Sequence, residues 1–325
     1  MSTKKDKQLL SRGMIAFLWV MVLLGFVGLL WWLGLGHDYR LLQTRGEIAT
    51  KQRDLLIFTV LLSLVVLLPT YFMLYMFAWR YKAGHKRQYK PNWDSNILIE
   101  SIWWAIPIII IGVLAVVTWQ TSHSLDPFKP LTSNKTPIKV QVVALNWKWL
   151  FIYPEQGVAS VNELAMPVDR PVNLTLTSDG PMNSFWVPQL AGQIYVMSGM
   201  TSQLHINAHK SGIYDGVTSN ISGKGYADMR FRALAMSDVE FQNWVSRAAN
   251  RGEMLDEGIF SSLRAESVKN SPKQYSLADS GLFDGLIAEY SHDMMKSSNQ
   301  IQLTPQSDPV PESMHMTNGH VMEGM

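Results

Sequence analysis

At 325 residues the chain is long enough for about two domains, and its formal net charge of +2 gives no reason to expect a nucleic-acid partner. It contains no cysteine, which excludes disulfides, thiolate zinc sites, a cysteine nucleophile and a lipid-modified cysteine. The mean hydropathy of +0.02 averages two unlike parts: the long apolar runs lie before residue 120, and the rest has the mixed polarity of a soluble domain.

The first segment, residues 1–36, is basic at its start and then apolar from Ile15 to Gly36. That apolar run is long enough to cross a bilayer core of about 30 Å. It also ends in Gly34-Leu35-Gly36, a small-x-small pattern at which a signal peptide could be cut. The sequence therefore leaves open a retained transmembrane helix and a cleaved signal.

Residues 37–120 predict a transmembrane helical hairpin, with spans at about 55–79 and 97–119. Pro69 lies inside the first span and is expected to kink it. The densest basic run of the chain, Arg80 to Lys90, connects the two spans, and the positive-inside rule places it in the cytoplasm. The second span must then lead outward, so the remainder of the chain is expected on the periplasmic side.

Glu100 is an ionisable residue close to the start of the second span. A carboxylate at membrane depth is costly, which makes it a candidate for a functional role. The alternative is an interfacial glutamate that reaches water or caps the start of the helix. The residue alone does not decide between the two interpretations.

Residues 121–236 predict an all-β unit preceded by a proline-rich linker. Alternating apolar runs such as Ile138–Leu145 and Val172–Thr177, separated by Gly, Pro and Asn, are typical of a β-sandwich or barrel. His205 and His209 are too far apart along a strand to share a metal ion, about 13 Å at 3.3 Å per residue. Both are predicted to be ordinary residues of the strand surface.

Two segments of this unit, Met182–Pro188 and Thr218–Met229, resemble the copper-ligand loops of the cupredoxin domain in subunit II of the haem-copper respiratory oxidases. Copper in such sites is held by soft Cys and Met sulfur and His nitrogen. In this chain the corresponding positions are Trp186 for the first His, Thr218 and Ser222 for the two Cys, Tyr226 for the second His, and Met229, which alone is retained. We therefore expect no metal site and no cofactor in this chain.

Loss of these ligands is the mark of the quinol-oxidizing branch, and the chain resembles subunit II of the cytochrome bo-type ubiquinol oxidases over nearly its whole length. The resemblance implies a respiratory, proton-pumping quinol oxidase of the bacterial inner membrane that reduces oxygen to water. It implies subunits I, III and IV and membrane lipid as partners, haems and copper in subunit I, and no cytochrome c. In that family the glutamate at the position of Glu100 lies at the mouth of a proton channel of subunit I.

The C-terminal part is predicted to be a helical arm over residues 237–297, followed by a disordered Met- and His-rich tail over residues 298–325. Ser237-Asp-Val-Glu240 has the pattern of a capping box and predicts the start of the first helix. The aromatic strand Asn146–Tyr153 matches a segment that passes electrons in copper-bearing relatives, but without copper it is expected to serve packing. The tail could bind copper weakly, although an unstructured segment is the simpler interpretation.

Two other functions fit these residues less well. A stand-alone, membrane-tethered periplasmic binding protein with a cupredoxin-like domain would need neither Glu100 in a paired span nor so long a C-terminal arm. Subunit II of a cytochrome c oxidase is excluded because the cysteines are missing. Ubiquinol and menaquinol are not distinguished by this chain, nor are the haem types, because those sites are expected in another subunit.

Overall fold

The computed structural model describes residues 39–81, 95–279 and 281–303, together with positions 25, 28 and 32. Most of the predicted N-terminal span at Ile15–Gly36, residues 82–90 of the basic connection and residues 304–325 of the predicted tail lie outside this range. The described residues begin with two long helices, continue into two β-sheets and end with three shorter helices. This is the predicted fold class.

Helices α1 (Glu47–Arg80) and α2 (Ile97–Ser124) are long and apolar enough to cross a membrane. They contain the predicted spans, but α1 starts at Glu47, before the predicted start of the first span at residue 55. It runs continuously through Pro69. α2 begins after Asn96, whose side chain accepts hydrogen bonds from the N–H groups of Leu98 and Ile99 at 3.1 and 3.2 Å.

The early start of α1 is explained by its contact with the β domain. The first N–H groups of a helix have no partner within the helix. Here the N–H groups of Gly46 and Ala49 donate to the carbonyls of Gln189 and Leu190, and that of Glu47 donates to the Asn207 side chain at 2.9 Å. The first turn of the hairpin is therefore fixed to the β domain.

The β domain contains twelve strands among the described residues, in a seven-stranded sheet of order β11-β12-β3-β2-β1-β5-β8 and a five-stranded sheet of order β4-β10-β9-β6-β7. The pairs β1–β5, β4–β10 and β11–β12 are parallel and the others antiparallel. The strands are β1 (Ile138–Leu145), β2 (Lys148–Tyr153), β3 (Val158–Val161), β4 (Glu163–Pro167), β5 (Val172–Ser178), β6 (Asn183–Trp186), β7 (Ile194–Val196), β8 (Ser202–Ile206), β9 (Gly212–Thr218), β10 (Arg230–Met236), β11 (Glu253–Leu255) and β12 (Lys273–Leu277).

The C-terminal arm contains α3 (Asp238–Arg251), α4 (Glu257–Arg264) and α5 (Leu282–Leu303). The predicted capping box at Ser237 and Glu240 is confirmed. Two features differ from the prediction: β11 and β12 of the arm extend the seven-stranded sheet, and α5 continues past residue 297 as far as Leu303. Strands this short give little periodicity to recognise in a sequence.

Two apolar clusters lie on opposite faces of the seven-stranded sheet. The first fills the space between the sheets and includes Trp149, Phe151 and Phe231. The second lies under the arm, where Phe260 of α4 and Phe283 of α5 cover side chains of β1, β2 and β3. As a result all six residues of β2 are buried.

Polar contacts fasten the arm at the edge of the second cluster. The guanidinium of Arg264 donates through Nε and Nη2 to the buried carboxylate of Asp179, both at 2.9 Å, and the Tyr290 hydroxyl donates to the same carboxylate at 2.8 Å. Hydrogen bonds to Glu289 and to Asp179 raise the pKa of Arg264. The buried ammonium of Lys148 donates to the backbone carbonyls of Leu263 and Ala265 at the end of α4. Burial lowers the pKa of Lys148.

A charge placed at the centre of α2 tests whether this helix spans the membrane. Ile110→Lys should cost about 2.5–3.5 kcal/mol on insertion scales, and we expect a marked loss of the chain from the membrane fraction on immunoblots. Ile213→Lys, at a 63% exposed isoleucine of β9, adds the same charge to the β domain and should leave the level unchanged. Equal levels for the two variants would show that α2 is not a transmembrane helix.

Candidate functional site

The candidate site is the end of the five-stranded sheet where β6, β9 and the loop 218–229 meet. Phe185 and Trp186 of β6 pair with Thr218 and Val217 of β9. The N–H of Thr218 donates to the carbonyl of Met229 at 3.4 Å, which closes the base of the loop. Three of the predicted positions, Trp186, Thr218 and Met229, therefore lie together at one end of the β domain.

The other two predicted positions lie further out along the loop. Ser222 is half-buried, and its hydroxyl has no hydrogen-bond partner. Tyr226 opens a single 3₁₀ turn, Tyr226–Asp228, and its N–H donates to the Gly223 carbonyl at 3.3 Å. Backbone hydrogen bonds thus hold the loop in a compact conformation.

The indole of Trp147 fills this loop. Trp147 lies in the turn between β1 and β2 with a positive φ of 62°, and its Nε1–H donates to the Ser222 carbonyl at 3.3 Å. A Cβ at Gly225 would lie 2.4 Å from Cδ2 of the indole, and one at Gly223 would lie 3.2 Å from its Cζ2. Gly225 is needed because the ring lies directly against the loop backbone, and Gly223 is favoured because its φ is +116°.

Of the five positions that correspond to copper ligands, only Met229 still offers a soft ligand, its thioether sulfur. Met229 is fully buried within the apolar cluster between the sheets, and hydroxyl and aromatic groups occupy the other ligand positions. Within the described part of the chain, no group of three or more His, Cys, Asp or Glu is arranged to hold a metal ion. A single neutral thioether is a weak ligand, so the residues present do not fit a copper centre.

The aromatic strand predicted to serve packing does so. Trp149 and Phe151 of β2 are fully buried. The Trp149 ring meets Phe185 edge-on at 5.3 Å between centroids, and Phe185 stacks on Phe231 at 4.9 Å. Edge-to-face and offset stacked pairs at these distances are favourable beyond the area they bury. The aromatic cluster therefore supports the strand that carries Trp186.

The prediction that both histidines lie on the strand surface is wrong for His205. Its side chain is 7% exposed, and Nδ1 lies 2.8 Å from the Asn173 amide oxygen. Burial lowers the pKa of His205, and a hydrogen bond between the ring and the backbone of Phe128 opposes this shift. His209 lies beyond the end of β8, is exposed and contacts Asp169 at 3.0 Å.

Glu100 lies in the first turn of α2 and is exposed. Its Oε1 accepts a hydrogen bond from the N–H of Asn96 at 3.3 Å, so the carboxylate reaches back to the residue that caps the helix. This contact belongs to the capping interpretation, and it leaves the second carboxylate oxygen for water or a neighbouring protein. Glu100 and the degenerate copper loop lie on different elements and do not form one site.

Sequence reasoning missed the role of Trp147. The signal that could have revealed it is Gly223-Lys-Gly225, two glycines that bracket one position in a loop where a large side chain approaches the backbone. The partner of those glycines is distant in sequence, and no local pattern identifies it. The burial of His205 could not be predicted, because its hydrogen bond to the backbone of Phe128 joins residues more than seventy positions apart.

The chain resembles known proteins over most of its length. The family model described as cytochrome c oxidase subunit II, periplasmic domain, matches residues 155–235. A cytochrome bo(3) ubiquinol oxidase subunit 2 of Pseudomonas aeruginosa is 42% identical over 79% of this chain and 78% of its own length. A ubiquinol oxidase subunit 2 of Acetobacter aceti is 40% identical over 84% of this chain and 91% of its own length.

More distant matches include a quinol oxidase subunit 2 of Bacillus subtilis, which is 34% identical over 68% of this chain and 70% of its own length. Among solved structures, the periplasmic domain of subunit II of cytochrome oxidase of Bradyrhizobium japonicum is 24% identical, with a TM-score of 0.35, over 37% of this chain and 99% of its own.

Packing of Trp147 against Gly225 predicts a specific coupling between the two residues. Gly225→Ala should lower the free energy of unfolding by about 1–3 kcal/mol, because overpacking a filled site forces the ring or the loop to move. In a Trp147→Ala background the same substitution should cost much less, since the obstructing ring is gone. Urea unfolding of the purified chain, followed by circular dichroism, measures both values.

Gly285→Ala on α5 is the matched control, because no atom lies within 4 Å of the added Cβ. It should not lower stability and is expected to raise it slightly in a helix. Additive effects of the Trp147 and Gly225 substitutions would show that the ring does not occupy the loop.

Proposed function

Because the chain belongs to the family of ubiquinol oxidase subunit 2, we propose that it is the non-catalytic subunit II of a proton-pumping terminal ubiquinol oxidase. The complex would oxidize ubiquinol and reduce oxygen to water, with the haems and copper in subunit I. It would lie in the bacterial inner membrane, with the β domain in the periplasm and subunits III and IV as further partners. The membership itself makes the chain a quinol oxidase subunit, bound to the membrane through its helices.

The observation that carries the non-catalytic assignment is the replacement of the copper centre by packing. An electron-accepting subunit needs a redox centre at the end of its cupredoxin-like domain. Here Trp147, Gly223 and Gly225 occupy that end, and Met229 is the one potential soft ligand that remains. Electrons from a membrane-soluble quinol would then reach subunit I without passing through this chain, and the β domain would have a structural role.

The membrane hairpin favours an oxidase subunit over a stand-alone tethered protein. Both helices are exposed along their apolar lengths in the described chain, and one such helix suffices to anchor a domain. The fixed joint between α1 and the β domain at Gln189, Leu190 and Asn207 would hold the domain in a set position above a large integral partner. A simple tether gains nothing from that rigidity.

Purification through a tag on this chain tests the assignment directly. We expect a membrane complex that contains haem, shows a b- or o-type absorption spectrum and consumes oxygen with ubiquinol as donor. A menaquinol analogue assayed in parallel determines the quinol class. Recovery of the chain alone, without haem, from membranes that contain active oxidase would contradict the proposal and favour a stand-alone binding protein.

For Glu100 we propose a role in proton entry into subunit I from the cytoplasmic side. Its carboxylate can accept and release a proton at the water boundary, which an amide cannot do at physiological pH. Glu100→Gln should slow turnover, most strongly at high pH where protons are scarce, while haem content and assembly stay normal. Glu100→Asp should be milder. Oxygen consumption by the purified complex between acid and alkaline pH measures the effect.

The glutamine variant separates this role from capping, because its Oε1 can still accept from the Asn96 N–H. Glu47→Gln is the control: Glu47 is also a carboxylate in a first helical turn, but it is half-buried at the start of α1 and paired with Lys51. It should leave the pH profile unchanged. Wild-type turnover by Glu100→Gln at every pH would reduce Glu100 to a capping residue.

A further inference from the structure

The C-terminal arm binds the turn that carries Trp147. Helix α4 ends at Arg264, and the last carbonyl groups of a helix have no partner within the helix. Here the carbonyls of residues 263–265 all accept hydrogen bonds from the two residues that flank Trp147. The Asn146 side-chain amide donates to the middle carbonyl at 3.0 Å, and the Lys148 ammonium donates to the outer two at 2.7 and 2.8 Å. The end of α4 is therefore joined to both sides of Trp147.

The backbone of Trp147 is strained. Its φ of 62° lies in the left-handed region, which a bulky side chain rarely adopts. Such a conformation costs free energy and persists only where the surrounding structure enforces it. Leu145 pairs with Lys148, so the turn is too short to spread the strain over a longer loop. The hydrogen bonds from Asn146 and Lys148 to the arm fix the residues on either side of Trp147 and so stabilise this conformation.

The indole of Trp147 connects this turn to the loop 218–229. Its Nε1–H donates to the Ser222 carbonyl at 3.3 Å, and the ring lies against the loop backbone at Gly225. Among the described residues, no hydrogen bond joins α4 directly to the loop. The contacts that lead from the arm to the loop therefore pass through the Trp147 ring.

Two of the loop's own hydrogen bonds are long. The N–H of Thr218 donates to the Met229 carbonyl at 3.4 Å, and the N–H of Tyr226 donates to the Gly223 carbonyl at 3.3 Å. Both distances exceed the usual range of about 2.7–3.2 Å. The Ser222 hydroxyl is buried without a partner. Backbone hydrogen bonds thus give the loop its shape but little rigidity, and packing against the indole supplies the rest.

We propose that the C-terminal arm fixes the conformation of the loop 218–229 from a distance, with Asn146 and Lys148 as the positioning residues and the Trp147 ring as the connection. The arm thereby gives this loop the order that a bound metal ion gives the corresponding loop of a copper-binding cupredoxin. The proposal concerns the chain itself and does not depend on its role in an oxidase. Its consequence is that weakening the contact between the arm and the turn loosens the loop.

Hydrogen–deuterium exchange of the purified full chain, read by mass spectrometry, tests this coupling. Lys148→Met removes the ammonium but keeps an apolar side chain in the core. We expect peptides of residues 222–229 to exchange about tenfold faster, the equivalent of one hydrogen bond to a charged group. Peptides of β5 should keep the wild-type rate, which shows that the whole domain is not destabilised. Lys273→Met is the matched control: its ammonium pairs with Glu253 at the exposed edge of the arm, and the loop should exchange as in the wild type.

A double substitution tests whether the coupling passes through the indole. In a Trp147→Ala background the loop should already exchange fast, and Lys148→Met should add no further acceleration. Equal acceleration by Lys148→Met with and without the ring would overturn the proposal. So would a wild-type exchange rate of the loop in Lys148→Met when the peptide at 260–265 exchanges faster. If Lys148→Met fails to fold, Asn146→Ala, which removes one hydrogen bond to the arm, decides the outcome by the same comparison with a smaller acceleration.

Discussion

The β domain depends on a sheet that is buried on both faces. Strands β1 and β2 pack on one side against the five-stranded sheet and on the other against α4 and α5. A sheet covered on two sides has no solvent face on which polar residues can alternate, and the run Trp149-Leu-Phe-Ile-Tyr153 is apolar without interruption. The C-terminal arm is thus part of the core of the domain.

Because both faces of the sheet are covered, the one charged side chain of β2 has no access to water and must form its hydrogen bonds within the protein. Lys148 is 1% exposed, and a buried ammonium is costly unless hydrogen-bonded. It ends under the last turn of α4, where carbonyl groups lack intrahelical partners and the helix dipole favours a positive charge. The hydrogen bonds between the Lys148 ammonium and these carbonyls therefore offset the cost of burying both groups. The ion pair of Asp179 and Arg264 fixes the neighbouring edge of the arm.

The sequence predicted those parts of the fold whose signals are local. Long apolar runs predicted α1 and α2, and Ser237 with Glu240 predicted the start of α3. The extension of the sheet by β11 and β12 could not be predicted, because it depends on pairing of Lys273–Leu277 with β3, a strand more than a hundred residues earlier. Register between distant strands is set by the core they share, which no short window of sequence contains.

In the candidate site, too, the features with local sequence signals were predictable and the contacts between distant residues were not. The ligand positions Trp186, Thr218, Ser222, Tyr226 and Met229 were recognisable because each lies within a short segment of known pattern, and the structure brings Trp186, Thr218 and Met229 together. That Trp147 fills the loop depends on a contact across 75 residues of chain. A loop without a metal centre needs close packing against other atoms to keep one conformation. In this loop the Trp147 indole provides that packing.

The joint between membrane and β domain follows from the same need to satisfy every buried polar group. Glycine at position 46 lets the backbone approach Leu190 so closely that a Cβ would lie 2.4 Å from the Leu190 carbonyl oxygen. This approach allows the free N–H groups at the start of α1 to bond to the β domain. The first turn of α1, whose polar groups are satisfied by the β domain, is therefore fixed to it.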